Sequence, residues 1–136
     1  MRYSAVFIGL LMSFAAQAGD LKLEFKAKSM KGQTLMVALF DTKESFETDR
    51  FIQEIKIEAS GDSTTLYIPN LPKGNYAIAA FLDSNKNGKI DKNFVGKPTE
   101  LYGFSNDARS MFGSPSYAKS VFTVGDGLTT QTIHLQ

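Results

Sequence analysis

The chain reads as an all-β protein, a seven-stranded Greek-key β-sandwich with one long Asp/Asn/Gly-rich loop. Three observations predict this fold. Short segments either alternate apolar and polar side chains or run continuously apolar in β-prone residues. Clusters of Gly, Asn, Ser and Pro punctuate them. No segment sustains a helical period, so two packed sheets are the natural way to bury the apolar faces.

The first element is an address rather than a strand. Residues 1–18 read MRYSAVFIGLLMSFAAQA. Arg2 supplies a positive start, Val6 through Ala16 an apolar stretch too short to span a bilayer, and Ala16-Gln17-Ala18 a small-x-small cleavage site. The expectation is a signal peptide at 1–18, cut before Gly19, and a single domain at 19–136. No cysteine follows the apolar stretch, which excludes a lipoprotein. No later stretch is apolar for long enough to be a transmembrane helix. The expected compartment is the periplasm or the extracellular medium.

The domain that remains alternates from its start. In Asp20–Lys28, Leu21, Leu23, Phe25 and Ala27 share one face, and Lys22, Glu24, Lys26 and Lys28 share the other. That is the period of a half-buried strand. Gly32 ends the following turn, and Gln33–Phe40 is a continuous apolar run fit for a central strand. The short turn predicts that these two strands form an antiparallel hairpin. Asp41–Phe51 is polar, with Phe46 and Phe51 inserted, and reads as a loop or one helical turn with Asp41 as cap. Ile52–Glu58 alternates again, and Thr64–Ile68 is a short β-prone run.

Pro69 and Pro72 cannot donate to a ladder, so residues 69–75 read as a connection. It leads into Tyr76–Leu82, a second continuous apolar strand. Residues 83–116 form the long loop. Tyr117–Val124 and Leu128–Leu135 complete the seven strands, joined by a Gly125-Asp126-Gly127 turn.

Composition narrows the function classes. The 136 residues carry 15 Lys+Arg and 14 Asp+Glu. The one excess positive charge is Arg2, inside the predicted signal peptide, so the exported domain is neutral and has no electrostatic footprint for nucleic acid. There is no cysteine and one histidine, which excludes disulfides, thiolate chemistry and multi-histidine metal sites. An oxygen-ligated ion is the one staple left to such a domain. An edge strand is open to dimerisation or partner-strand addition.

The sharpest motif opens the long loop: Asp83-Ser84-Asn85-Lys86-Asn87-Gly88-Lys89-Ile90-Asp91. Oxygen side chains stand at the first, third and fifth positions, followed by a glycine, as in the front half of a calcium loop. Alternate residues of a tight turn aim oxygens at one centre. Asp83, Asn85, Asn87 and Asp91 are the candidate side-chain ligands for calcium, and Lys89 would offer its carbonyl. The twelfth position, a bidentate Glu in an EF-hand, is Phe94, and a strand precedes the loop in place of a helix. Glu100 and Asp107 are candidates to close the sphere from farther along. With few carboxylates, binding is expected to be weak. The same pattern also suits an ion-free Asx turn.

Beyond it, Glu100, Tyr102, Phe104, Ser105 and Asn106 lie where aromatic residues alternate with Gly, Ser and Asn. They are candidate ligand-binding residues, or they fold the loop onto the sandwich as a lid.

Four stretches together resemble a known family: LPKGNYAIAAF at 71–81, DSNKNGKID at 83–91, GKPTELYGFSN at 96–106 and FGSPSY at 112–117. They are similar to the secreted bacterial proteins of domain-of-unknown-function family 2141, from about Leu21 to Leu135. The LP-x-G-x-Y element at 71–76 also resembles one found in transthyretin-like and carboxypeptidase-regulatory sandwiches. The resemblance implies an immunoglobulin- or prealbumin-like sandwich and no assigned catalysis.

An enzyme would have to use His134, the single histidine, with Ser105, Ser110, Ser114 or Ser116, none of which lies in G-x-S-x-G. Asp83 and Asp91 also have the makings of a glycosidase carboxylate pair, although a calcium loop explains their spacing better. The reading is therefore a non-enzymatic binding module with a small molecule or an envelope protein as partner and calcium as its ion. The alternatives are a small secreted hydrolase and an apolar-ligand carrier, each using residues 100–116.

Overall fold

Strict alternation in the first strand sends one row of side chains inward, and the structure bears this out. Leu21, Leu23 and Phe25 are fully buried, while Asp20 and Lys26 face solvent. The structure is a computed structural model that describes residues 18–84, 86, 100–111 and 113–136. It contains eight strands among the described residues: β1 (Ala18–Lys26), β2 (Thr34–Phe40), β3 (Gln53–Glu58), β4 (Ser63–Pro72), β5 (Gly74–Asp83), β6 (Tyr102–Phe104), β7 (Phe122–Val124) and β8 (Gly127–His134). Two short helices, α1 (Lys43–Glu47) and α2 (Tyr117–Ser120), and a 3-10 turn at Ser105–Asp107 join them.

The strands form two sheets, in the order β4-β1-β8 and β3-β2-β5-β6, with β7 also paired to β5. Between them lies one core. β1 contributes Leu21, Leu23 and Phe25, β2 Leu35, Val37 and Leu39, β5 Ile78, Ala80 and Leu82, and β8 Ile133. The expected two-sheet sandwich is present, with eight strands in place of seven.

Several expectations are corrected. β1 and β2 do not form a hairpin; they lie in different sheets, and β1 pairs with β4 antiparallel and β8 parallel. Residues 27–33 arch across the core instead. Met30 plugs its interior with no exposed surface, and Gly32 takes φ +82° to turn the chain.

Pro69 and Pro72 lie within β4 rather than in a connection. β4 is an edge strand, where a missing N–H costs no ladder bond. The register slips there between Gly19 and Leu21, and Asn70 takes φ 58°. The Asp20 carboxylate accepts the Asn70 amide at 3.0 Å across this bulge.

Residues 117–120 form α2 rather than strand, because Ser116 caps them by accepting the Lys119 N–H. In α1 the cap is Thr42 rather than Asp41. Thr42 Oγ1 accepts the Ser45 N–H at 3.0 Å, and Ser45 Oγ accepts the Thr42 N–H at 3.2 Å.

α1 has a positional role. It lays Phe46 on the outer face of the second sheet, with ring centroids 5.3 Å from Phe40, 6.0 Å from Phe104 and 5.9 Å from Tyr117. These contacts draw α1, α2, β2 and β6 together. No helix among the described residues is long and apolar enough to cross a membrane.

Candidate functional site

β5 ends at Asp83, which lies opposite Thr34 of β2 in the strand register. Its side chain is nearly closed to solvent, at 2% exposed, and Glu100, which leads into β6, is 8% exposed. One hydrogen bond links the two chain ends: the Ser84 N–H donates to Glu100 Oε2 at 2.8 Å. The Leu82 N–H donates to the Leu101 carbonyl at 2.9 Å, and Ser84 Oγ bonds Gln33 Oε1 at 2.8 Å. Lys86, at φ 58°, donates its N–H to the Asp83 carbonyl at 3.2 Å and starts the loop on a tight turn.

Two buried acids, Asp83 and Glu100, thus lie on neighbouring stretches of chain at either end of the Asp/Asn motif. Asn85, Asn87, Lys89 and Asp91 lie outside the described residues. Among the described residues no cluster of three or more acidic, histidine or cysteine side chains forms. Asp83 and Glu100 offer hard carboxylate oxygens, the chemistry that suits calcium.

Asp107 does not join this pair. Its Oδ1 accepts the His134 N–H and its Oδ2 meets His134 Nδ1, both at 2.8 Å. The pair holds the imidazole by one nitrogen at the mouth of an open groove of about 540 Å³, lined by Lys26, Lys28, Asp62, Leu101, His134 and Gln136 among others.

Residues 102–106 act as a clasp between the sheets. The Tyr102 N–H donates to the Gln136 carbonyl at 3.3 Å and the Gln136 N–H to the Tyr102 carbonyl at 3.0 Å, so β6 of one sheet is bonded to the end of the other. Gly103 faces inward at this seam. A β-carbon on it would lie 2.7 Å from the His134 carbonyl oxygen and 2.8 Å from Ile133 Cγ2.

Tyr102 and Phe104 lie on the outer face of the sheet, Tyr102 half-buried and Phe104 buried against Phe46. Arg109 lies 4.4 Å over the Tyr102 ring and donates to the Tyr102 and His134 carbonyls. Ser105 is fully buried. Its hydroxyl accepts the Ile78 N–H at 3.0 Å and donates to the Ser120 carbonyl. Asn106 takes φ 61° and spans three elements. Its side-chain amide donates to the Lys119 and Val121 carbonyls at 3.1 and 2.8 Å, and its oxygen accepts from Gln131 Nε2 at 2.9 Å.

Of the five candidate ligand residues, then, Tyr102 and Asn106 bond to the other sheet, Ser105 ties β5 to α2, Phe104 packs against Phe46, and Glu100 lies beside the end of β5. Sequence reasoning missed Arg109, Gln131 and Asp107 as members of this clasp. Their partners lie far along the chain, and no local spacing marks them.

One further ionisable group is perturbed. Burial, with the Asp41 carboxylate adding to it, raises the Tyr76 phenol above its ordinary value of 10.0. Its hydroxyl donates to the Pro72 carbonyl at 2.6 Å.

A two-sheet sandwich, clasped at residues 102–109 and with two buried acids where β5 ends and β6 is entered, is the class these observations define. The chain belongs to the family DUF2141, described as "Uncharacterized protein conserved in bacteria", whose model matches residues 26–132. No curated protein matches it. Among solved structures it is similar to the pilus-presented adhesin Spy0125 (Cpa), at 10% identity and a TM-score of 0.32. That likeness covers 90% of this chain and 28% of the adhesin, and it adds nothing to the reading of the site.

Proposed function

We propose that this chain is an exported, non-enzymatic binding module whose Asp/Asn loop takes up calcium weakly. The observation that carries the reading is the pair of buried acids. Asp83 and Glu100 are both buried, and the Ser84 N–H bond to Glu100 Oε2 ties their chain ends together. Calcium favours hard carboxylate oxygens, and these two acids stand on adjoining chain ends. The motif that starts at Asp83 supplies Asn85, Asn87, the Lys89 carbonyl and Asp91 as further oxygen donors. Glu100 takes the closing role that the loop's twelfth position, Phe94, cannot. Calcium bound there would brace the loop against β5 and β6.

The non-enzymatic part rests on Ser105. Its hydroxyl is fully buried and its one proton is already donated to the Ser120 carbonyl, so it is not presented to a general base. Export rests on the signal-like residues 1–18, and an immunoglobulin- or prealbumin-like relationship for the sandwich belongs to the same proposal. The partner is a small molecule or an envelope protein that meets the loop side of the second sheet.

Native mass spectrometry of protein purified from its own cell envelope tests the whole reading. The expected result is a chain beginning at Gly19 with one calcium, lost on chelation, and any retained ligand seen as added mass. A chain that keeps residues 1–18 would overturn export, and a metal-free chain in millimolar calcium would overturn the ion.

A further inference from the structure

The geometry of β3 points to a second copy of this chain as its partner, joined strand to strand about Ile55. β3 ends the order β3-β2-β5-β6, and among the described residues it pairs only with β2. Gln53, Glu54, Lys56 and Glu58 are exposed, Ile55 and Ile57 are only partly covered, and Ile52 beside them is 51% exposed. An open strand with an apolar row is a template for pairing.

The ladder phase shows which backbone groups are on offer. Ala59 N–H donates to the Gln33 carbonyl, and β3 then follows the register Ile57↔Leu35 and Ile55↔Val37. Residues 53, 55 and 57 therefore direct their backbone groups to β2, and by alternation Glu54, Lys56 and Glu58 direct theirs outward.

The charge order on that outward set is self-complementary. In an antiparallel pair centred on Ile55, Glu54 lies opposite the partner's Lys56 and Lys56 opposite the partner's Glu54. The two Ile55 side chains meet across the axis, Gln53 meets the partner's Ile57, and the ladder stops short of Ile52, whose N–H is already held by the Leu39 carbonyl at 2.8 Å. Both members of the Glu54–Lys56 pair belong to the outward-bonding set, so charge and hydrogen bonding agree. Opposite charges placed directly across a ladder are favourable and like charges are not.

Neighbouring registers fail. Centring on Lys56 sets lysine against lysine and glutamate against glutamate. Centring on Ile57 pairs Lys56 with the partner's Glu58. It also sets Glu54 against the partner's Ser60, whose N–H is already held by Thr64 Oγ1 at 3.0 Å. It further places Ile55 against the partner's Ala59, which is buried.

The test is sedimentation velocity on the purified protein over a wide concentration range, with Glu54→Lys, Lys56→Glu and the double exchange. Both sites are exposed, and thermal melts confirm that each variant is folded. The expected result is a concentration-dependent dimer. Each single reversal weakens association about fivefold or more, since it creates two like-charged pairs, and the double exchange restores it. Because the chain has no cysteine, Ile55→Cys should give an oxidised disulfide dimer under native conditions and Ile57→Cys should not. A protein monomeric at every concentration, single reversals without effect, a double exchange that does not restore the dimer, or cross-linking through Ile57→Cys alone would each overturn the proposal.

Discussion

A β-carbon on Gly103 would lie 2.7 Å from the carbonyl oxygen of His134, so the seam between the two sheets closes only because residue 103 has no side chain. The second obstacle is Ile133 Cγ2 at 2.8 Å, and Ile133 is itself fully buried. Neither atom is the loose end of a flexible side chain. Gly103→Ala should therefore destabilise the fold by about 1–3 kcal/mol through overpacking. Gly125→Ala, where nothing lies within 4 Å of the added carbon, should leave stability nearly unchanged. Urea midpoints of the two variants check this contrast.

Ser105 gives a second test of the clasp. Removing its hydroxyl leaves the Ile78 N–H without its acceptor and the Ser120 carbonyl without its donor, both in the interior. Ser105→Ala should cost about 1–3 kcal/mol, the usual penalty for stranding buried polar groups. Chemical denaturation measures this loss. A variant as stable as the parent would show that the hydroxyl has no structural role.

Asn106 separates backbone strain from hydrogen bonding. Asn106→Gly keeps access to φ 61° and loses the bonds to Lys119, Val121 and Gln131. Asn106→Ala loses the same bonds and adds left-handed strain of about 1 kcal/mol. Alanine should therefore be the less stable of the two by that margin, read from paired denaturation curves.

Tyr76 predicts an alkaline limit. Its pKa in the folded chain is raised above 10.0 by burial and by Asp41. The unfolded chain therefore releases this proton first as pH rises. The associated stability is whole below about pH 10 and is lost as pH climbs from there toward the folded value. Tyr76→Phe removes the bond to Pro72 and should lower stability by about 1 kcal/mol at neutral pH. It should also flatten the decline above pH 10, as melting temperatures from pH 8 upward will show.

Much of this architecture is legible from side-chain alternation. Leu21, Leu23 and Phe25 announce β1, and the apolar runs of β2 and β5 announce central strands. What escapes is pairing. The turn around Ser29–Gly32 is short enough for a hairpin, and only the burial of Met30 shows that it spans two sheets. Pro69 and Pro72 argue against a strand until β4 is known to be an edge. At the candidate site, the Asp83 motif is local and readable. The partnership of Ser84 with Glu100 depends on β5 and β6 being neighbours. The clasp made by Ser105 and Asn106 depends on carbonyls of α2 and its exit, which local spacing does not mark.

A calcium site closed by Asp83 and Glu100, as proposed, would be read out by the melting temperature in calcium against chelator. A ligand that binds only the folded chain raises its stability by mass action, so about 10 mM calcium acting on a weak site should raise the melting temperature by several degrees. Asp83→Asn and Glu100→Gln should each reduce or remove that rise while remaining folded in chelator. A parent protein whose melting temperature is the same in calcium, magnesium and chelator would rule the calcium site out. So would a rise that survives both substitutions.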